Sequence, residues 1–114
     1  MVTELKGSML DLIMITFQIE IPFIQIKNFC QHWGIREFGL FGSVLRKDFN
    51  QNSDIDVLVS FENGIGINLF DIAQMKIELE EIFKRPVDIL EKEALRNPYR
   101  KKQILETFQV IYEA

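Results

Sequence analysis

The chain has 114 residues, of which 47% are apolar, and its 13 basic and 17 acidic side chains give a net charge of −4 at pH 7. This length predicts a single domain that buries about 65% of its unfolded surface. The acidic balance disfavours a protein that binds long nucleic acid directly, so a free nucleotide or another protein is the expected substrate.

The first 21 residues are predicted to be an N-terminal extension, and residues 22–114 the folded domain. Met9–Ile21 is largely apolar, but Asp11 and Glu20 interrupt it. It therefore falls short of the ~20 apolar residues that a membrane span needs. No small-residue cleavage site of a signal peptide follows. We expect a cytoplasmic protein that has no membrane partner.

A helix is predicted to begin at Pro22 and to end at Gly34, because proline suits the first turn of a helix and glycine its end. The single cysteine, Cys30, cannot form an internal disulfide and has no evident activating partner, so we expect it in the core. Apolar residues recur at helical spacing within this helix: Phe23, Ile26, Phe29, Cys30 and Trp33.

Phe38–Phe41 is predicted to be a strand that leads directly into Gly42 and Ser43. Glycine lets backbone N–H groups approach a phosphate closely, and the serine hydroxyl adds a hydrogen-bond donor. Val44–Arg46 is predicted to be a helical turn whose N-terminus faces the anion. Gly-Ser alone equally suits an ordinary turn with a serine cap, so the phosphate interpretation depends on the acidic residues further along the chain.

Two aspartates then lead into an apolar run: Ser53 stands immediately before Asp54, and Asp56 is two residues further on. Because successive strand side chains point to opposite faces, the two carboxylates share one face, about 7 Å apart. They repel each other unless a cation compensates. Mg²⁺ is usually held by one or two carboxylates together with substrate phosphates. The pair therefore predicts a site for magnesium and a nucleoside triphosphate.

A second long helix is predicted from Asn68 to about Lys84, with Asp71 forming a capping box. Lys76 and Glu80 are expected on its solvated face. Six apolar residues are expected to face the core: Leu69, Ile72, Met75, Leu79, Ile82 and Phe83.

Pro86–Leu90 predicts a short strand with Asp88 between two apolar residues. A carboxylate buried there without a partner would be costly, so Asp88 needs either a cation or a structural role such as capping the next helix. Both interpretations stay open at this point.

Asn97 and Pro98 are predicted to open a last helix, followed by an edge strand over Val110–Tyr112. Leu105 and Phe108 are expected to pack inward. Tyr99 and Tyr112 are expected to be packing residues. A basic cluster near Tyr99 could bind a triphosphate or an acidic partner, or be solvated: Arg96, Arg100, Lys101 and Lys102.

Together these elements predict an α/β (α+β) domain with a small mixed β-sheet that helices cover mainly on one side. Two segments, Gly42–Asp48 and Ser53–Val59, resemble the signature of the minimal nucleotidyltransferases of the DNA polymerase β superfamily. Within that superfamily the chain is most similar to the MntA-like antitoxins encoded beside HEPN-domain toxins. The resemblance extends from about Phe23 to the C-terminus, and Lys47 stands where family members often have glycine.

The resemblance implies a polymerase-β-like nucleotidyltransferase fold and a reaction assisted by two Mg²⁺ ions. Asp88 matches the family's third carboxylate, whose implied role is general base for the attacking hydroxyl. Three residues are implied to be both catalytic and metal-binding: Asp54, Asp56 and Asp88. Four residues are implied to bind the nucleotide: Gly42, Ser43, Arg46 and Ser53.

The resemblance further implies that ATP is the donor and that a tyrosine of a cognate HEPN ribonuclease toxin accepts AMP, which silences the toxin. An oligomer with that partner fits this interpretation. Two alternatives remain. The chain could be a non-catalytic antitoxin that neutralises its partner by complex formation. It could instead modify a small molecule, although 114 residues leave little room for a separate acceptor pocket.

Overall fold

The computed structural model describes residues 19–46, 49–50 and 52–114. The predicted N-terminal extension lies outside the described residues except for its last three. Lys47 and Asp48 of the signature segment also lie outside them. None of the described helices is both long and apolar enough to cross a membrane.

Three helices, four strands and two short 3₁₀ turns make up the described part of the chain. The 3₁₀ turns are Gly42–Leu45 and Lys92–Ala94. The helices and strands, in chain order, are α1 (Phe23–Trp33), β1 (Ile35–Phe41), β2 (Ile55–Phe61), α2 (Leu69–Phe83), β3 (Val87–Glu91), α3 (Pro98–Thr107) and β4 (Gln109–Glu113).

The helix ends are fixed by the predicted capping residues. Gly34 ends α1 in the left-handed conformation, with φ at 67°. Asn68 and Asp71 form the predicted capping box of α2, with hydrogen bonds of 2.9 and 3.1 Å. Asn97 accepts hydrogen bonds from two backbone N–H groups at the start of α3. These local signals are confirmed.

The strands form one mixed sheet in the order β3-β2-β1-β4. β1 pairs antiparallel with both β2 and β4, whereas β2 and β3 run parallel because α2 crosses between them. β4 is an edge strand, as predicted. β1 begins at Ile35, three residues earlier than the sequence suggested, and the register shifts between Ile35 and Glu37.

Two apolar clusters lie on opposite faces of the sheet. The large cluster joins Ile55, Val57 and Val59 of β2 to buried residues of α1 and α2. The small cluster consists of Phe41, Leu58 and Ile104, the last of these on α3. We call the two sides of the sheet the large-cluster face and the small-cluster face. Helices therefore cover mainly one side, as predicted.

Cys30 is fully buried in the large cluster. Burial raises the pKa of its thiol to about 12, so the thiol stays protonated and unreactive at neutral pH. The prediction of a core cysteine is confirmed.

Three packing predictions are wrong. Leu69 is 85% exposed because it is the first residue of α2 and precedes the part that packs on the sheet. Tyr99 is 81% exposed rather than packed. On α3 the buried residue is Ile104, while Leu105 is 36% exposed. One position along a helix rotates a side chain by about 100°, so this is a shift of the buried face by one residue.

Candidate functional site

The sheet brings two of the predicted carboxylates side by side. Asp56 is the direct partner of Asp88 in the parallel pairing of β2 with β3. Leu58 and Leu90, each two residues further on, pack in or against the small cluster. Because strand side chains alternate, both carboxylates lie on the small-cluster face. Asp54 lies one residue before β2 begins.

The charges of the other two carboxylates affect the pKa of Asp56. Burial raises its pKa, and the charges of Asp88 and Asp54 raise it further. A hydrogen bond from the backbone N–H of Ser43 and the positive charge of Arg46 lower it. Asp56 is half-buried, whereas Asp54 and Asp88 are exposed. The three side chains thus form one negatively charged group with two accessible members.

The turn after β1 packs directly against this group. Gly42 has a φ of 75°, in the left-handed region, and a Cβ at this position would overlap the carboxylate of Asp56. Only glycine allows this approach without strain. The hydroxyl of Ser43 donates a hydrogen bond of 3.1 Å to the backbone oxygen of Asp54. Both the N–H and the hydroxyl of Ser43 therefore bind the Asp54–Asp56 segment.

The other two predicted nucleotide-binding residues lie in the same connection between β1 and β2. Arg46 is exposed directly after the turn. The hydroxyl of Ser53 accepts a hydrogen bond of 3.1 Å from the backbone N–H of Asn50. The structure therefore places all four predicted residues next to the carboxylates, with Ser53 also holding the loop that leads to Asp54.

The chemistry of this site fits a divalent cation that prefers oxygen ligands. The raised pKa of Asp56 reflects burial and the repulsion of its neighbours, and a cation would offset both. Within the described residues, no three His, Cys, Asp or Glu side chains are gathered closely enough to hold an ion by themselves. Mg²⁺ does not require such a cage, because it is commonly bound by one or two carboxylates with substrate phosphates completing its ligands.

Three residues outside the predicted site contact its backbone. The Nζ atom of Lys76 donates a hydrogen bond of 2.9 Å to the oxygen of Val87, and the Glu80 carboxylate accepts one of 3.0 Å from the N–H of Val87. The pair is largely exposed, as expected, and it also makes these two hydrogen bonds to the start of β3. Arg85 contacts the loop before Asp54. The i, i+4 spacing of Lys76 and Glu80 was the one available signal.

Comparison with known proteins identifies the family. The model of the nucleotidyltransferase domain family matches residues 24–111. A Methanocaldococcus jannaschii protein named for protein adenylyltransferase activity is 39% identical over 72 residues, covering 63% of this chain and 74% of the relative. Protein adenylyltransferase MntA of Thermococcus cleftensis is 31% identical over 84 residues, covering 74% of this chain and 83% of the relative.

Solved structures agree. A minimal nucleotidyltransferase is 34% identical with a TM-score of 0.60, covering 74% of this chain and 83% of that one. A toxin–antitoxin crystallised with AMP-PNP has a TM-score of 0.67 at 16% identity, covering 82% and 75% of the two chains. A tri-AMPylated Shewanella oneidensis HEPN toxin in complex with an MNT antitoxin gives 0.58 at 15% identity, covering 80% and 69%. The last two likenesses show the fold alone.

The family model matches most of this chain. The two sequence relatives are named as protein adenylyltransferases, and this chain covers 74% and 83% of their lengths. The resemblance seen in Gly42–Asp48 and Ser53–Val59 is thereby confirmed. This chain belongs to the nucleotidyltransferase domain family, among the minimal nucleotidyltransferases related to protein adenylyltransferase MntA.

Proposed function

We propose that this chain is a metal-dependent protein adenylyltransferase that moves AMP from ATP to a tyrosine hydroxyl of a HEPN-domain toxin and so acts as its antitoxin. The observation that carries the proposal is the pairing of Asp56 with Asp88 across parallel strands, against the Gly42 turn and next to Asp54. The adenylyltransferase names of the relatives support the donor half. The tri-AMPylated HEPN toxin in complex with the MNT antitoxin of one structural neighbour supports the acceptor half.

Asp54, Asp56 and Asp88 are the residues that would hold two Mg²⁺ ions. Bound there, magnesium supplies positive charge that neutralises the triphosphate and the leaving pyrophosphate. The exposure of Asp54 and Asp88 leaves room for a substrate phosphate to complete the ligands.

Four residues in the β1–β2 connection are assigned to the nucleotide. Arg46 is exposed directly after the turn, so its guanidinium lies where it can attract a triphosphate. The Gly42–Ser43 backbone comes close to the site because glycine leaves no side chain in the way. Ser53 contributes by shaping the loop before Asp54.

Asp88 is assigned as the general base, because it is exposed and lies on the strand at the edge of the sheet, where an acceptor on another protein can reach it. It takes the proton of the tyrosine hydroxyl while the phenolic oxygen attacks the α-phosphorus in line. The bond between the α-phosphorus and the bridging oxygen to the β-phosphorus breaks, and pyrophosphate leaves. AMP remains on the tyrosine as a phosphodiester.

The test first looks for a HEPN-domain protein encoded beside this chain and then combines the two purified proteins with ATP and MgCl₂. Intact-mass analysis should show the partner gaining the mass of AMP, and its ribonuclease activity should fall. The double variant Asp54→Asn, Asp56→Asn should transfer no measurable AMP. Glu81→Gln with Glu106→Gln, which removes the same charge at exposed positions elsewhere, should retain the wild-type rate.

Three further arms separate the alternatives. Chelation with EDTA should abolish transfer, and a Tyr→Phe change at the modified position of the partner should remove the mass gain. If the double variant silences the toxin as well as the wild type does, and the wild type also attaches no AMP, then the chain is a binding antitoxin and the enzymatic proposal is wrong. Transfer to a small molecule but not to the partner would favour the small-molecule alternative.

A further inference from the structure

The three site carboxylates are held by different parts of the fold. Asp56 and Asp88 lie inside strands, where ladder hydrogen bonds fix the backbone. Asp54 precedes Ile55, the first residue of β2, and the N–H of Ile55 bonds to the oxygen of Pro86 at 2.9 Å. The backbone position of Asp54 therefore depends on contacts made outside the sheet.

Arg85, in the connection between α2 and β3, supplies such contacts. Its Nη1 atom donates a hydrogen bond of 2.8 Å to the backbone oxygen of Asn50 and a longer one of 3.5 Å to that of Ser53. Its guanidinium lies 4.5 Å above the ring of Phe49. The half-buried side chain of Arg85 thus contacts three residues of the loop that precedes Asp54: Phe49, Asn50 and Ser53.

We propose that Arg85 is a positioning residue that sets Asp54 relative to Asp88. The inference rests on the proposed function, because it assigns Arg85 a part in that reaction. Arg85 and Asp88 are three residues apart in one segment. The same short stretch of backbone therefore positions both the carboxylate of Asp88 and the side chain that holds the loop before Asp54. Movement of the loop before Asp54 relative to β3 would change the distance between the carboxylates of Asp54 and Asp88, which must act on one substrate.

Lysine is a poor substitute at this position. A guanidinium can donate to two carbonyl oxygens while its flat face stacks on an aromatic ring, whereas an ammonium is a compact and strongly hydrated charge. Hydrogen bonds from a charged donor are also stronger than neutral ones. Arg85→Lys should therefore restore only part of what Arg85→Gln removes.

The kinetic test compares Arg85→Gln, Arg85→Lys and Arg36→Gln. Arg36 is the matched control, because it also donates a hydrogen bond, 2.9 Å to Ser60, but at the other end of β2. Arg85→Gln should lower kcat roughly tenfold with little change in KM for ATP, because a displaced catalytic group slows the chemical step. Arg85→Lys should lie between it and the wild type, and Arg36→Gln should keep the wild-type kcat. Equal rates for Arg85→Gln and wild type would overturn the inference.

A second readout needs neither catalysis nor metal. In ¹H–¹⁵N spectra of the metal-free protein, Arg85→Gln should shift the amide signals of Ser53 and Asp54 and increase their mobility, leaving those of Asp56 and Asp88 in place. Unchanged Ser53 and Asp54 signals, or a general loss of dispersion, would contradict a positioning role. If the wild type transfers no AMP at all, the proposed function fails, and this spectrum still decides where Arg85 acts.

Discussion

The two faces of the sheet are built for different purposes. On the large-cluster face, α1 and α2 bury residues such as Ile26, Met75 and Leu79 completely. On the small-cluster face, α3 covers a patch whose buried members are Phe41, Leu58 and Ile104. The paired carboxylates lie on this second face.

The difference indicates a division of labour between stability and chemistry. Apolar burial is the main favourable term in folding, so the large-cluster face supplies most of it. The small-cluster face leaves the site end of β2 and β3 accessible, which keeps Asp54 and Asp88 exposed. The unfavourable free energy of placing like charges close together is thus offset by apolar burial on the large-cluster face.

The largest expected effect on the free energy of unfolding comes from truncating a buried side chain of the large cluster. Leu79→Ala should lower the free energy of unfolding by about 2–5 kcal/mol, because the side chain is fully buried and core packing relaxes only in part around a deleted side chain. Ile104→Ala should cost less, since Ile104 is 6% exposed in a thin cluster next to solvent. Urea denaturation followed by circular dichroism measures both. An equal loss for the two variants would break the comparison of the faces.

The next effect separates strain from chemistry on the small-cluster face. Gly42→Ala should lose about 1–2 kcal/mol from its left-handed backbone, and roughly 100-fold in AMP transfer because the new methyl group displaces Asp56. Gly64→Ala is the matched control: its φ is 83°, but a Cβ there meets nothing within 4 Å. It should show similar destabilisation and wild-type transfer. Loss of activity in both variants would mean that strain alone explains the result.

Local signals in the sequence were sufficient for most of the elements. The caps at Asn68 and Asn97 depend on side chains within three residues, and the stop at Gly34 depends on its own left-handed backbone. The alternation around Asp56 is equally local. A resemblance carried by two short segments was enough to identify the family. The resemblance also implied Asp88 as the third carboxylate, but its pairing with Asp56 joins positions 32 residues apart in the sequence, and only the parallel register shows that the two residues lie side by side.

The wrong packing predictions and the missed contact of Arg85 depend on parts of the chain that are distant in sequence. Leu69 and Tyr99 are apolar or aromatic residues at the first turns of helices, where the chain has not yet reached the sheet. Whether such a residue packs depends on where the helix begins relative to its neighbours. Arg85 reaches Asn50 across 35 residues, and no spacing rule reports such a contact. Side-chain braces on irregular backbone therefore require the structure.

The smallest predicted effect tests whether the large-cluster face also supports the site. Glu80 of α2 accepts the N–H of Val87, and this hydrogen bond lowers the pKa of Glu80, with Lys76 acting in the same direction and burial opposing it. A folded pKa below the unfolded value of 4.5 means that the native state binds fewer protons, so the stabilisation is present above that pH and is lost as the pH falls below it.

Glu80→Gln should therefore be slightly less stable than the wild type at pH 7, with the gap closing as the solution is acidified below pH 4.5. Glu81→Gln removes the same charge from the neighbouring, exposed position and should match the wild type at both pH values. Because Val87 precedes Asp88, Glu80→Gln should also loosen the start of β3, seen as faster amide exchange at Val87. If the exchange rate stays unchanged while stability falls, α2 supports the fold but not the placement of Asp88.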